Sequence, residues 1–140
     1  MRHQDYSAIV PPILDRLELG ILIGLFIGEI HFGGDRQQAH VTLRMSKKHL
    51  HVLEWAKERF PLAKLYGPYT YVYKDGKPRT TYQLMFRGAV LKNQLVPVLN
   101  SYDWSLIAPH VYSRYLAMKE KYKLEDEAEV RARLGDVVDE

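Results

Sequence analysis

Three glycines, Gly20, Gly24 and Gly28, recur at intervals of four within a strongly apolar stretch, and Glu29 follows the last of them. At helical spacing such a row forms one narrow stripe without side chains. Each glycine inside a helix costs roughly 1 kcal/mol relative to alanine, so three in one row need a compensating reason. A bare stripe lets a second backbone approach closely, as in small-xxx-small packing. Glu29 carries two penalties. An acid at the end of an apolar segment is expensive if buried unpaired. The C-terminal end of a helix is also the wrong end for a negative charge. A divalent cation with oxygen ligands would offset both. If two copies pack through the stripe, two-fold symmetry brings two Glu29 carboxylates close to one axis. The plainer alternative is that the glycines serve packing alone and Glu29 is a solvated helix-end residue.

A second set of residues suits recognition of a polyanion. Gln38, His40, Thr42 and Arg44 alternate with Ala39, Val41, Leu43 and Met45, and Thr81, Gln83 and Arg87 share a later strand. Gln and Arg have bidentate options on adenine and guanine edges. Arg36 and Gln37 precede the first group, Lys48 follows it, and Lys74, Lys77 and Arg79 surround an Asp75, Gly76 turn. All are placed as DNA contacts, against the plainer reading of solvated surface charge. Tyr66, Tyr69, Tyr71 and Tyr73 are left open between core, stacking and phosphate contact. The six histidines show no metal-ligand spacing. No Ser/His/Asp signature and no phosphate-cradling glycine loop is present. The absence of cysteine excludes disulfides, thiolate zinc sites and Cys nucleophiles. It fits a reducing compartment, and a cytoplasmic location is the expectation.

The elements that must position these groups follow from periodicity. Apolar residues at spacings of three and four predict a helix over residues 13–28. Ile13, Leu14, Leu17, Ile21, Leu22, Leu25 and Phe26 would form its apolar face. A short strand follows over 30–32 and an alternating strand over 38–46. Ser46 can cap a helix running from 47 to about 59, with Val52, Leu53, Ala56 and Phe60 inward. Strands over 64–74 and about 80–87 flank the Asp75, Gly76 hairpin signal. Helices follow over about 89–100, where Pro97 would kink or end it, and about 105–123, with Leu106, Ile107, Val111, Tyr115 and Met118 inward. The fold class is α+β: a four-stranded antiparallel sheet with helices on one face and a free polar face. Residues 1–12 read as a leader, 13–123 as one domain, and 124–140 as an acidic tail or short helix. The longest uncharged apolar run is far short of the roughly 20 residues that span a bilayer, so no membrane partner is expected.

Residues 22–30 read LIGLFIGEI and resemble the nine-residue signature of LAGLIDADG homing endonucleases. Leu22, Gly24 and Leu25 match directly, Phe26 is a common variant, Gly28 sits at the second small position and Glu29 at the acid position. The αββαββα order that follows is similar to the family core. A single motif resembles the homodimeric branch. The resemblance implies a homodimer whose motif helices, with Gly20, Gly24 and Gly28, form the interface, and two sheets that saddle double-stranded DNA. It implies that Glu29, with the Gly28 carbonyl, holds Mg2+ or Mn2+ at the scissile phosphates. Lys47, or Lys48, would supply the basic group that the family often places after its second strand. The sequence departs from the pattern at Ile30, where Gly is usual, in a short loop between its first two strands, and in having no lysine between Lys92 and Lys119.

Charge adds to this. The formal net charge is +3, but residues 124–140 hold seven acids and two bases, which leaves 18 bases against 10 acids in residues 1–123. A basic body suits a polyanionic partner. The expected function is a metal-dependent, site-specific DNA endonuclease. The alternatives are a catalytically weakened DNA- or RNA-binding protein on the same fold, and a dimerisation protein that binds no nucleic acid.

Overall fold

The structure is a computed structural model that describes residues 9–125 and 129. Residues 1–8 of the leader, and residues 126–128 and 130–140 of the tail where a short helix is expected, lie outside the described residues. Helix α1 spans Arg16–Glu29, β1 Ile30–Gly34, β2 Ala39–Ser46, α2 Leu50–Arg59, β3 Lys64–Val72, β4 Pro78–Arg87, α3 Val96–Asn100 and α4 Pro109–Tyr122. The protein is α+β, with one four-stranded antiparallel sheet in the order β1-β2-β4-β3. Among the described residues no helix is long and apolar enough to cross a membrane.

Helix α1 starts at Arg16 rather than at residue 13 because Asp15 caps it. The Glu18 N–H donates to Asp15 Oδ1 at 2.8 Å, and the Asp15 N–H returns a bond to Glu18 Oε1 at 3.3 Å. This reciprocal pair satisfies two backbone donors at the helix start. Ile13 is thereby left outside the helix, fully exposed. Leu17 and Ile21, expected inward, are exposed at 72% and 45%, while Leu22, Ile23 and Phe26 are buried. The second oxygen of Glu18 accepts from Arg59 Nε at 2.9 Å, which ties the start of α1 to the end of α2.

One face of the sheet carries Ile30, Phe32, Ala39, Val41, Leu43, Leu84 and Phe86, which pack with Leu22 and Phe26 of α1 and Leu53, Ala56 and Phe60 of the α2 segment. Phe86 meets Phe26 and Phe60 edge-on, with ring centroids 5.4 and 5.2 Å apart. Edge-to-face pairs add roughly 0.5–1.5 kcal/mol beyond the burial of their area. Both helices therefore cover the same side. A short 3-10 turn, Lys47–His49, leads into α2, and Ser46 Oγ accepts from the Lys48 N–H at 3.3 Å, as the capping signal predicts.

The third helical segment is divided. Val90–Leu95 is a π-helical turn, and α3 begins only at Val96, with Pro97 in its first turn. The wider turn accommodates a proline that would break an α-helical ladder in its interior. Helix α4 starts at Pro109, four residues later than the periodicity suggests. Asp103 Oδ1 accepts from both the Ser105 N–H and the Ser105 hydroxyl, at 3.0 and 2.6 Å, and holds a turn there instead. Leu106 and Ile107 are consequently exposed at 93% and 68%, not inward, whereas Tyr115 and Met118 are buried as expected.

Candidate nucleic-acid interface and acid site

The sheet's second face is read directly from its register. His31, His40, Thr42, Arg44 and Ser46 from β1 and β2 alternate with the core residues and therefore point away from the helices. From β4 come Arg79, Thr81, Gln83, Met85 and Arg87, and from β3 Lys64 and Tyr66. Across the strands His40 pairs with Arg87, Arg44 with Gln83, and Ser46 with Thr81. None of these positions holds an Asp or Glu. The face is thus uniformly neutral or cationic.

Most residues proposed to touch DNA lie here or on its rim. Arg44 and Arg87 are exposed, while His40, Gln83 and Thr81 are half-buried. The Thr81 hydroxyl is itself buried, and Thr42 is the clearer exception. It lies mid-sheet, with His31 and Met85 as register partners, and is only 6% exposed. Its neighbours cover it, so it is not presented to a ligand. His40 lies across Gly33 on the adjacent strand, where a Cβ would collide with the imidazole. The ring occupies space that only a glycine leaves.

The first hairpin is held in a defined shape. Asp35 Oδ1 accepts from the backbone N–H groups of Gln37 and Gln38, both at 2.8 Å, and the Tyr122 hydroxyl donates to the Asp35 carbonyl at 2.9 Å. These bonds keep Arg36, Gln37 and Gln38 exposed at the edge of the open face. The two N–H groups, aided by the nearby His40, hold the Asp35 carboxyl below its ordinary value of 3.8. The second hairpin is anchored at Asp75, which accepts from the Lys77 N–H at 2.9 Å and from Arg79 Nη2 at 3.1 Å. Lys74 and Lys77 are exposed at its tip.

The acid stands at the end of the sheet. The last β1–β2 pair is Ile30 with Leu43. One residue further come Glu29 on one side and Arg44 on the other, with Lys47 starting the turn beyond Ser46. Register therefore brings Glu29, Arg44 and Lys47 to one end of the sheet, and all three are exposed. Lys48 is exposed beside Lys47. Among the described residues no three His, Asp or Glu side chains gather where they could hold a metal ion. The Glu29 carboxylate and the Gly28 carbonyl are hard oxygen donors, the type that Mg2+ or Mn2+ prefers. They fit such an ion in kind. Among the described residues the donor set is incomplete in number.

The glycine stripe is bare. A Cβ built at Gly20, Gly24 or Gly28 meets nothing within 4 Å. Close packing inside the protomer therefore does not require glycine at any of the three. Gly20 and Gly24 lie instead along an apolar groove of about 600 Å³, lined also by Leu19, Ile23 and Ile27 of α1 and by Tyr102 and Ile107 from the α3–α4 connection. Exposed Leu17 and Ile21 extend the apolar surface on α1.

Two features of the open face escaped the periodicity reading. Lys64 joins it, and the tyrosines of β3 lie on it rather than in the core. A Gly-Pro pair inside a strand signals a bulge, and Gly67 and Pro68 were the available clue. Comparison of the chain with protein-family models and with curated proteins finds no match.

Proposed function

We propose that the chain is one protomer of a homodimeric, divalent-metal-dependent, site-specific endonuclease of double-stranded DNA, of the kind the LAGLIDADG resemblance implies. The bare glycine stripe, ending in Gly28 and Glu29, carries this reading. Three helix-interior glycines have no use within the protomer, and a second copy of α1 is the partner that such a stripe fits. The same contact would set two Glu29 carboxylates side by side. The acid-free open face supports the DNA half of the reading, because phosphate attraction favours a cationic surface and Gln and Arg can read base edges.

In this reading Arg36, Lys48, Lys74 and Lys77 hold phosphates and position the duplex, while Gln38, His40, Arg44, Gln83 and Arg87 face base edges. Glu29 and the Gly28 carbonyl would hold Mg2+ or Mn2+, which supplies charge stabilisation and an activated water. Lys47 stands near the acid as a cation for the charge that develops on the phosphate. Purified protein with Mg2+ is expected to nick or cut DNA from around its own gene. Glu29→Gln should lower that rate at least about 100-fold, while duplex affinity stays within about 3-fold. Cleavage that survives Glu29→Gln overturns the assignment of the acid.

A second reading is a catalytically weakened DNA- or RNA-binding protein on the same fold. It draws on Glu29 making no ion pair among the described residues and on Ile30, a buried strand residue where the family signature has Gly. Salt-dependent binding with no metal-dependent nicking selects it.

A further inference from the structure

Strand β3 carries four tyrosines, Tyr66, Tyr69, Tyr71 and Tyr73, that the duplex contacts above do not use. In an unbroken strand side chains alternate, and Tyr69 and Tyr71 would face away from Tyr66. The β3–β4 register prevents this. Tyr66 pairs with Gln83 and Tyr69 with Thr81, so Gly67 and Pro68 together oppose Tyr82 alone. The extra residue reverses the alternation. Tyr69 and Tyr71 thereby join Tyr66 on the open face, beside Thr81 and Arg79. Tyr73 follows in the same phase, with its ring under the Arg79 guanidinium at 4.3 Å.

These rings are wet. Tyr69, Tyr71 and Tyr73 are exposed at 37%, 47% and 46%. Among the described residues none of the four pairs with another ring. Tyr69 and Tyr71, two residues apart on one face, are spaced roughly 6.6–6.8 Å, whereas the step from Tyr66 to Tyr69 spans the bulge and is one residue longer. The Tyr69–Tyr71 spacing is twice the roughly 3.4 Å rise of stacked bases, so one base fits between these two rings. Charge agrees with the spacing. Lys64 stands at one end of the row and Lys74 and Lys77 at the other, and the one acid beside it, Asp75, is already engaged by Arg79. Lys64 and Arg87 also line a cleft of about 410 Å³ next to Tyr66.

We propose that this row binds single-stranded nucleic acid. One unpaired base stacks between Tyr69 and Tyr71, a neighbouring base stacks on Tyr66, and Lys64, Lys74 and Lys77 hold the phosphates. A duplex cannot use the row in this way, because its base faces are already stacked on each other. The proposal deepens the reading of the open face as a nucleic-acid surface and rests on that reading.

The test is fluorescence anisotropy on the full chain with labelled oligo(dT) and oligo(U) of about 12 nucleotides and with a duplex. Tyr69→Ala/Tyr71→Ala should weaken single-strand binding by about 10-fold or more and leave duplex affinity within about 2-fold. Tyr69→Phe/Tyr71→Phe keeps the ring faces and should stay within about 3-fold of the parent. Tighter oligo(U) assigns RNA as the source of the strand, and tighter oligo(dT) assigns DNA. Unchanged single-strand affinity in the alanine pair overturns the proposal. So does a phenylalanine pair as weak as the alanine pair, since the contact would then be the hydroxyl. A shift of the alanine pair in sedimentation also overturns it, by marking the row as a contact between copies. Failure of the endonuclease reading shows differently, as duplex binding or cleavage absent while oligonucleotides still bind.

Discussion

At the scale of single residues, two exposed carboxylates held by backbone and hydroxyl donors contribute to the acid response of the fold. Asp35 is held below its ordinary value by the Gln37 and Gln38 N–H groups, and Asp103 by the Ser105 hydroxyl and N–H. Both shifts are downward. Each carboxylate therefore contributes stability that is full above its unfolded value, near 3.8, and is lost as pH falls through the lower folded value. An asparagine keeps an acceptor for the same N–H groups but has no charge to lose. Asp35→Asn/Asp103→Asn should flatten the fall of melting temperature between about pH 4 and pH 2. A slope equal to the parent's would show that other groups govern acid unfolding. Asp35 lies between the two expected strands, after Gly33 and Gly34, with nothing in the residue types to single it out. Its role as the acceptor that sets the hairpin needs the backbone path, which residue types alone do not supply.

At the scale of elements, order and alternation were legible and their ends were not. The αββαββαα order and the inward faces of β2 and α2 follow from periods of two and 3.6 that burial enforces. The start of α1 was available in the Asp15, Glu18 spacing, yet apolar periodicity outweighed it and drew the helix back to residue 13. The β3 bulge and the π-helical turn were hidden for a common reason. Each inserts a residue into a repeat, and a pattern with an inserted residue reads as a weaker pattern. The glycine stripe of α1 was legible as a row, but only the empty space beyond it shows that the row faces outward. Two substitutions separate its local cost from its use. In an isolated protomer Gly24→Ala meets no steric obstacle and should raise stability by roughly 0.5–1 kcal/mol through helix propensity. Gly24→Leu starts from the same open position, and under the homodimer reading a folded but monomeric protein is expected. Sedimentation velocity and thermal melting on both variants check this together. A Gly24→Leu protein that stays dimeric would place the interface elsewhere.

At the scale of the whole molecule, the chain divides into a basic body and an acidic end, and among the described residues Glu129 forms an ion pair between them. The Glu129 carboxylate accepts from Lys119 Nζ at 2.6 Å and from the Asn100 side chain. Lys119 is only 3% exposed, sits 4.5 Å from the Tyr115 ring and donates also to Asn100 Oδ1 at 3.0 Å. Deleting residues 124–140 would therefore do two things at once. It would remove net negative charge from the chain, and it would take from a buried ammonium the carboxylate that compensates it. Breaking a fully buried pair costs about 3–5 kcal/mol, and the quarter exposure of Glu129 reduces this to about 2. Charge and stability can be separated by leaving Glu129 in place. Neutralising Asp126, Glu127, Asp136, Asp139 and Glu140 takes the formal net charge from +3 to +8. This variant should melt within about 1 kcal/mol of the parent, bind non-specific DNA more tightly at low salt, and lose that advantage as salt rises. Glu129→Gln alone should do the reverse, destabilising by about 2 kcal/mol with little change in DNA affinity. Equal DNA affinity for the neutralised and parent chains across a salt series would mean that the tail's charge does not reach the bound polyanion.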